Sequence, residues 1–194
     1  MKNIFSIVCA SSTFLLLLPS TVALADYEDG VEAAFSGDYD TAFKEFTIAA
    51  EEGLSLAQYN LGILYFTGQG VEQDFDEAFE WTKRAAEQGH LNAQFNLGSL
   101  YLDGQGTQVS VLEGVNWFTQ AAKNGHANSA YTLAKMHQEG DFVDSDLVLA
   151  HAWAAQSEIN EHPEASLLKK EIAQDLSEEE IRQARRIFAA WQIE

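Results

Sequence analysis

The segment Ala57-Gln58-Tyr59-Asn60-Leu61-Gly62-Ile63-Leu64-Tyr65-Phe66-Thr67-Gly68-Gln69-Gly70 returns one period later as Ala93-Gln94-Phe95-Asn96-Leu97-Gly98-Ser99-Leu100-Tyr101-Leu102-Asp103-Gly104-Gln105-Gly106. The offset of 36 residues recurs in Trp81, Trp117 and Trp153, in the pairs Ala49-Ala50, Ala85-Ala86 and Ala121-Ala122, and in Gly53, Gly89 and Gly125. Self-similarity at this period means stacked supersecondary units that share a continuous core. It moves the functional question from catalytic constellations to surfaces.

Within one unit the apolar residues follow helical spacing twice. Ala57, Leu61, Leu64 and Tyr65 form one stripe, and Ala78, Trp81, Ala85 and Ala86 a second. Gly68-Gln69-Gly70 breaks the chain between them and Gly89 ends the second helix, so each unit reads as an antiparallel helix pair. Gly62 and Gly98 sit in mid-helix, where glycine costs about 1 kcal/mol relative to alanine, and so mark close approaches between helices. The tryptophans are expected to fill the space between neighbouring units. The units run 27–53, 54–89, 90–125 and 126–161, followed by capping helices in 162–194. In the fourth unit His137 replaces the tyrosine and Asp141-Phe142 replaces the second half of Gly-Gln-Gly. The end reads as a final helix pair, roughly 164–174 and 178–192, with Ser177 and Glu180 forming a capping box.

The pattern Ala-x-x-x-Leu-Gly-x-x-Tyr-x-x-Gly-x-Gly-Val at 57–71, followed by Ala78-x-x-Trp81-x-x-x-Ala85-Ala86-x-x-Gly89, resembles the Sel1-like repeat, a relative of the tetratricopeptide repeat. The ending from Leu176-Ser177-Glu178-Glu179-Glu180-Ile181 through Trp191 is similar to the C-terminal helix of many bacterial exported members. The resemblance implies an all-α, right-handed α-α superhelix acting as an adaptor or scaffold in protein complexes, often at the cell envelope. Some cysteine-rich relatives have been linked to penicillin binding or β-lactam hydrolysis. Their repeats carry paired cysteines that this chain lacks, so that activity is not carried over.

The N-terminus reads as a secretory signal: Lys2 is the positive start, Ile4 to Leu18 is mostly apolar, and Ala23-Leu24-Ala25 is a small-residue cleavage site. Cleavage after Ala25 would leave a soluble periplasmic or secreted product from Asp26 with no membrane span. It would remove the single cysteine, Cys9, so that packing without disulfides holds the fold in an oxidising compartment. The full chain carries a net charge of −19, which repels nucleic acid and anionic membranes.

In helix-pair solenoids the first helix of each unit lines the concave surface. At 100° per residue, the face of the 57–67 helix away from Ala57 and Leu61 carries Leu56, Tyr59, Ile63 and Phe66. One period on it carries Asn92, Phe95, Ser99 and Leu102, and two periods on Asn128, Tyr131, Lys135 and Gln138. The face grades from apolar to polar, as suits a groove holding a protein or peptide through aromatic anchors. The competing reading is that Tyr59, Phe95 and Tyr131 are core.

His90, His126 and His162 recur at the start of units. One zinc needs neighbouring imidazole nitrogens about 4 Å apart, whereas stacked helices stand roughly 10 Å apart, so helix-end turns are the expected role. Glu139, Asp141, Asp144 and Asp146 gather in one loop without the calcium-loop pattern, which reads as a solvated acidic loop. Lys169, Lys170, Arg182, Arg185 and Arg186 are the one basic concentration, and Glu178 to Arg182 at i+4 reads as a salt-bridged face. No nucleophile elbow, phosphate loop or metalloprotease helix occurs. The expectation is a non-enzymatic, cofactor-free scaffold. The alternative is an envelope hydrolase or peptidoglycan- or β-lactam-related binding protein, which would need convergent titratable groups in a cleft.

Overall fold

A computed structural model describes residues 21–193. Lys2, the apolar stretch Ile4 to Leu18 and Cys9 lie outside the described residues. The described chain forms α1 (Thr21–Ser36), α2 (Tyr39–Glu51), α3 (Ser55–Thr67), α4 (Phe75–Glu87), α5 (Leu91–Asp103), α6 (Val111–Lys123), α7 (Ala127–Glu139), α8 (Leu147–Ile159), α9 (Ala165–Ala173) and α10 (Glu178–Trp191), with no strand among these residues. The expected cleavage after Ala25 falls inside α1, where Ala23 is fully buried.

Odd- and even-numbered helices pair into four hairpins, α1–α2 to α7–α8, and each even helix also packs on the next odd one. The result is an all-α solenoid. Its caps repeat with the sequence. Asp38, Ser110 and Asp146 each accept a hydrogen bond from the amide three residues on, and Asp74 from those of Asp76 and Glu77. These satisfy orphan N–H groups that begin every helix. The odd helices α3, α5 and α7 end on left-handed Gly68, Gly104 and Gly140.

The mid-helix glycines are contact points. A Cβ on Gly62 would stand 2.6 Å from Thr82 Oγ1, and one on Gly98 2.8 Å from the Phe118 ring. Gly30 does the same in the first hairpin, where a Cβ would stand 2.7 Å from Phe46. Sequence reading passed over Gly30 because the shorter α1–α2 turn shifts it out of the 36-residue register.

Two sequence expectations change. Helices α9 and α10 do not form a further hairpin of the same kind: α9 packs on α8, and α10 also folds back onto α8. There Trp191 stacks on Trp153, ring centroids 4.0 Å apart. The tryptophans are also not equivalent. Trp153, covered by α10, is buried, whereas Trp81 and Trp117 remain half-buried at the edge of the core. Trp81 donates its Nε1–H to Glu77 and carries the Arg84 guanidinium 4.4 Å above its ring, so it serves the surface as well as the core.

Candidate protein-binding groove

The second glycine of each Gly-Gln-Gly turn fixes the geometry of the odd-helix face. Gly70 and Gly106 have φ of 69° and 68°. A Cβ at Gly70 would stand 2.1 Å from the Tyr39 carbonyl oxygen, and one at Gly106 1.9 Å from that of Phe75. No other residue fits, and each turn is therefore seated on the start of the preceding unit's second helix. That seating places Gln69 and Gln105 in the linings of two clefts.

The clefts are one site repeated. The first, about 410 Å³, lies between α1 and α3 and includes Phe46, Asn60, Leu64 and Gln69. The second, about 190 Å³, lies between α3 and α5 and includes Thr82, Asn96, Leu100 and Gln105. These four pairs are each 36 residues apart. Ile63 lines both and forms the ridge between them. Phe66 and Ser99 complete the walls of the second cleft, and Asp103 is the one carboxylate among the described residues lining either.

The expected surface residues divide into groups. Ile63, Phe66 and Ser99 line the α3–α5 cleft. Leu56 and Phe66 are exposed. Leu102 is half-buried and lies where a Cβ on Gly114 would meet it at 2.7 Å, so it packs within its own hairpin. Lys135 pairs with Glu139 and donates to Gln138, closing the polar end of the face.

Tyr59, Phe95 and Tyr131 are half-buried, and each meets a histidine of the next unit. Tyr59 stacks on His90 at 4.5 Å, Phe95 lies 5.2 Å from His126, and Tyr131 stacks on His162 at 4.1 Å. The histidines are helix caps: His90 Nδ1 accepts from the Ala93 amide and His126 Nδ1 from that of Ser129, both at 3.2 Å. His126 Nε2 donates to Asn92 at 3.1 Å, so the ring is neutral with its proton on Nε2. Burial holds the pKa of His90 and of His126 below the ordinary imidazole value. Position 54, one period before His90, is Leu54, and α3 accordingly has no side-chain cap.

Sequence reasoning missed the two asparagines. Asn60 Nδ2 donates to the Tyr27 hydroxyl at 3.5 Å. Asn96 bonds the Tyr59 hydroxyl, whose pKa is raised by burial against that hydrogen bond. The signal was present in the repeat, since both asparagines recur with it. Neither is aromatic or charged, so neither stands out by itself as an anchor.

The acidic loop is partly committed to structure. Asp146 caps α8, accepting from the Leu149 amide at 2.9 Å, and Glu139 pairs with Lys135. Among the described residues no three His, Cys, Asp or Glu side chains gather closely enough to hold a metal ion. Phe142, at the place of Gly106, keeps the left-handed backbone with φ 65° while its side chain is 57% exposed. On α10, Arg182 and Arg186 pair with Glu179, and Lys169 of α9 with Glu158 of α8. Among the described residues no helix is long and apolar enough to cross a membrane.

Comparison with known proteins agrees with this architecture. The Sel1 repeat family matches residues 55–90, 91–126 and 127–157. Among solved structures, one similar chain is a protective antigen present in uropathogenic Escherichia coli strains and displaying an SLR fold: 36% identity, TM-score 0.68, covering 74% of this chain and 32% of that one. Another is a Sel1 repeat protein from Oxalobacter formigenes: 28% identity, TM-score 0.69, covering 76% of this chain and 62% of that one. The protein thus spans about a third of the first and three-fifths of the second. No curated protein matches the chain. With three matched repeats covering more than half its length and the hairpin stack seen in the structure, the chain belongs to the Sel1 repeat family.

Proposed function

We propose that this protein is an exported, non-enzymatic scaffold that binds another protein or peptide in the groove formed by α1, α3 and α5. The observation that carries the reading is the doubled cleft. Two repeat-equivalent hollows share the Ile63 ridge, with apolar walls and a few fixed amides. Concave apolar sites with sparse polar groups are the usual form of a recognition surface. Helix α3 contributes no charged residue to it, in a chain of net charge −19. Mediating protein–protein interaction is the general role of Sel1 repeats. Export rests on Lys2, the apolar stretch Ile4 to Leu18 and Ala23-Leu24-Ala25.

An envelope hydrolase would need a base, a nucleophile or a carboxylate pair facing a cleft. Asp103 is the one carboxylate among the described residues lining either cleft, so no carboxylate pair is present there, and no observation favours that reading.

The test is partner capture from the envelope fraction by the wild-type protein and by Ile63→Glu, a charge placed on the ridge between the clefts. The expected result is loss of the specific partner with helical content and thermal midpoint retained. Equal capture by a folded Ile63→Glu protein contradicts the groove.

A further inference from the structure

Three large apolar side chains stay exposed where the third unit meets the fourth: Val109 at 64%, Leu112 at 70% and Phe142 at 57%. The repeat puts them on one edge of the solenoid. Gly106 seats against the carbonyl of Phe75, the first residue of α4. One period on, Phe142 holds the place of Gly106, and Val111, the first residue of α6, holds that of Phe75. Val109 and Leu112 flank Val111 in the chain, and Val109 stands over the Gly104 turn as Gln73 stands over the Gly68 turn.

One unit earlier the same three places hold Gln73, Asp76 and Gly106. A lone exposed leucine is ordinary. Here three equivalent positions change together, and each change goes against its local setting. Val109 precedes the N-cap Ser110, where an apolar residue usually packs on the fourth helical residue, but that residue is Gly114. Leu112 lies in the first turn of α6, where Asp76 of α4 carries the negative charge that a helix N-terminus favours. Phe142 keeps a left-handed φ of 65°, and its Cβ bars the close seat that Gly106 takes. Apolar residues kept exposed against local preference mark a surface that something else covers.

The border of the patch is acidic. Glu113, Asp141 and Asp144 lie within two residues of these side chains in the chain, are exposed, and enter no ion pair among the described residues. The lysines of this region do not offset them: Lys135 pairs with Glu139, and Lys123 lies in the last turn of α6, whereas Leu112 is in the first. A second copy of this edge would set carboxylate against carboxylate, and an anionic bilayer would meet the same repulsion.

We infer that this edge is a second docking surface, for a protein whose apolar contact residues are bordered by lysine or arginine. Phe142, Leu112 and Val109 supply the apolar contact, and Glu113, Asp141 and Asp144 face the basic border. None of the six lines either cleft of the groove. The two surfaces therefore share no residue, as suits a scaffold that holds two partners.

The experiment is fluorescence anisotropy with three labelled peptides of equal length. One carries Leu-Phe-Leu between two Lys-Lys pairs, the second replaces Leu-Phe-Leu with Gly-Ser-Gly, and the third replaces the lysines with glutamates. The first is expected to bind saturably and about tenfold tighter than either of the others. The variant Val109→Gln/Leu112→Asp/Phe142→Gly carries the residues of the preceding unit, so it is expected to fold with an unchanged or higher thermal midpoint. It is also more acidic, so adherence by charge alone would strengthen, yet the expected result is binding weakened about fivefold or more. Should the triple variant not fold, Leu112→Asp alone is read in the same way. Ile63→Glu, on the groove ridge, is expected to leave binding unchanged. Binding untouched by the patch variants, or lost in a folded Ile63→Glu protein, overturns the second surface, as does absence of saturable binding. Equal binding of the glutamate peptide overturns the basic partner. A dimer in sedimentation velocity that the triple variant dissociates overturns the proposal in favour of a second copy.

Discussion

The ring of Tyr59 lies stacked on that of His90, centroids 4.5 Å apart and 29° from parallel, so the first helix of one unit is clamped to the start of the next. The same clamp joins Tyr131 to His162. It explains two periodicities at once, since the aromatic and the histidine recur together. Each capping histidine accepts a backbone N–H through an unprotonated Nδ1.

That geometry gives the fold a pH dependence. Burial depresses the folded pKa of His90 and His126 below the ordinary imidazole value of 6.5. The stability they contribute is therefore full above about pH 6.5 and is lost as pH falls through the depressed folded values. His90→Asn/His126→Asn keeps a capping side chain that does not titrate. The double variant is expected to lose less thermal stability than the wild type between pH 7.5 and 5.5. An identical loss assigns that pH dependence elsewhere.

A buried orphan amide points to a gain in stability. Gln58 and Gln94 donate to the Ala50 and Ala86 carbonyls, both at 3.1 Å. Gln58 Oε1 is satisfied by Gln88 at 2.7 Å, but Gln94 Oε1 has no partner, although Gln94 is only 4% exposed. The residue one period after Gln88 is Asn124, one methylene shorter. Asn124→Gln is expected to stabilise by about 0.5–1.5 kcal/mol, read from the urea midpoint. No gain would mean that the Gln94 oxygen already has a partner such as an ordered water.

The contact of Gly98 with Phe118 predicts coupled mutations. Gly98→Ala forces a methyl against the ring and should cost about 1–3 kcal/mol; Phe118→Ala should cost about 3–5 kcal/mol. One period on, Ala134 and Ala154 stand in these places, both fully buried. The double variant imitates that unit, and its cost should fall short of the sum by about 1 kcal/mol. Strict additivity in a double-mutant cycle would deny the contact.

Phe142 holds a left-handed backbone that its counterparts Gly70 and Gly106 adopt without strain. Its side chain is mostly exposed, so Phe142→Gly should relieve strain on the order of 1 kcal/mol with little burial lost. A higher thermal midpoint is the expected result. A lower one would show that the ring packs on the solenoid.

How far the sequence carries the reader follows from this register. The helix pairs, their glycine ends and the Ser177–Glu180 box were legible because each is a local signal or an exact recurrence. The capping of α5 and α7 by histidine was legible as a helix-end role. The clamp was not, because Tyr59 and His90 are 31 residues apart and meet only after a turn brings a new unit alongside. Tyr27 and Gly30 were hidden by the short α1–α2 turn. The return of α10 to α8 left no periodic trace, since it is a single event of docking Trp191 onto Trp153.

The central claim is that the α3–α5 cleft is the surface a partner occupies. A photoreactive phenylalanine analogue placed at Phe66, at Ser99 and, as the outward control, at Glu80 of α4 tests it most directly in the native cell. The account predicts one discrete adduct from positions 66 and 99, absent from position 80 and abolished by Ile63→Glu. Adducts from position 80 alone, or adducts at 66 and 99 that survive Ile63→Glu in a folded protein, would contradict it.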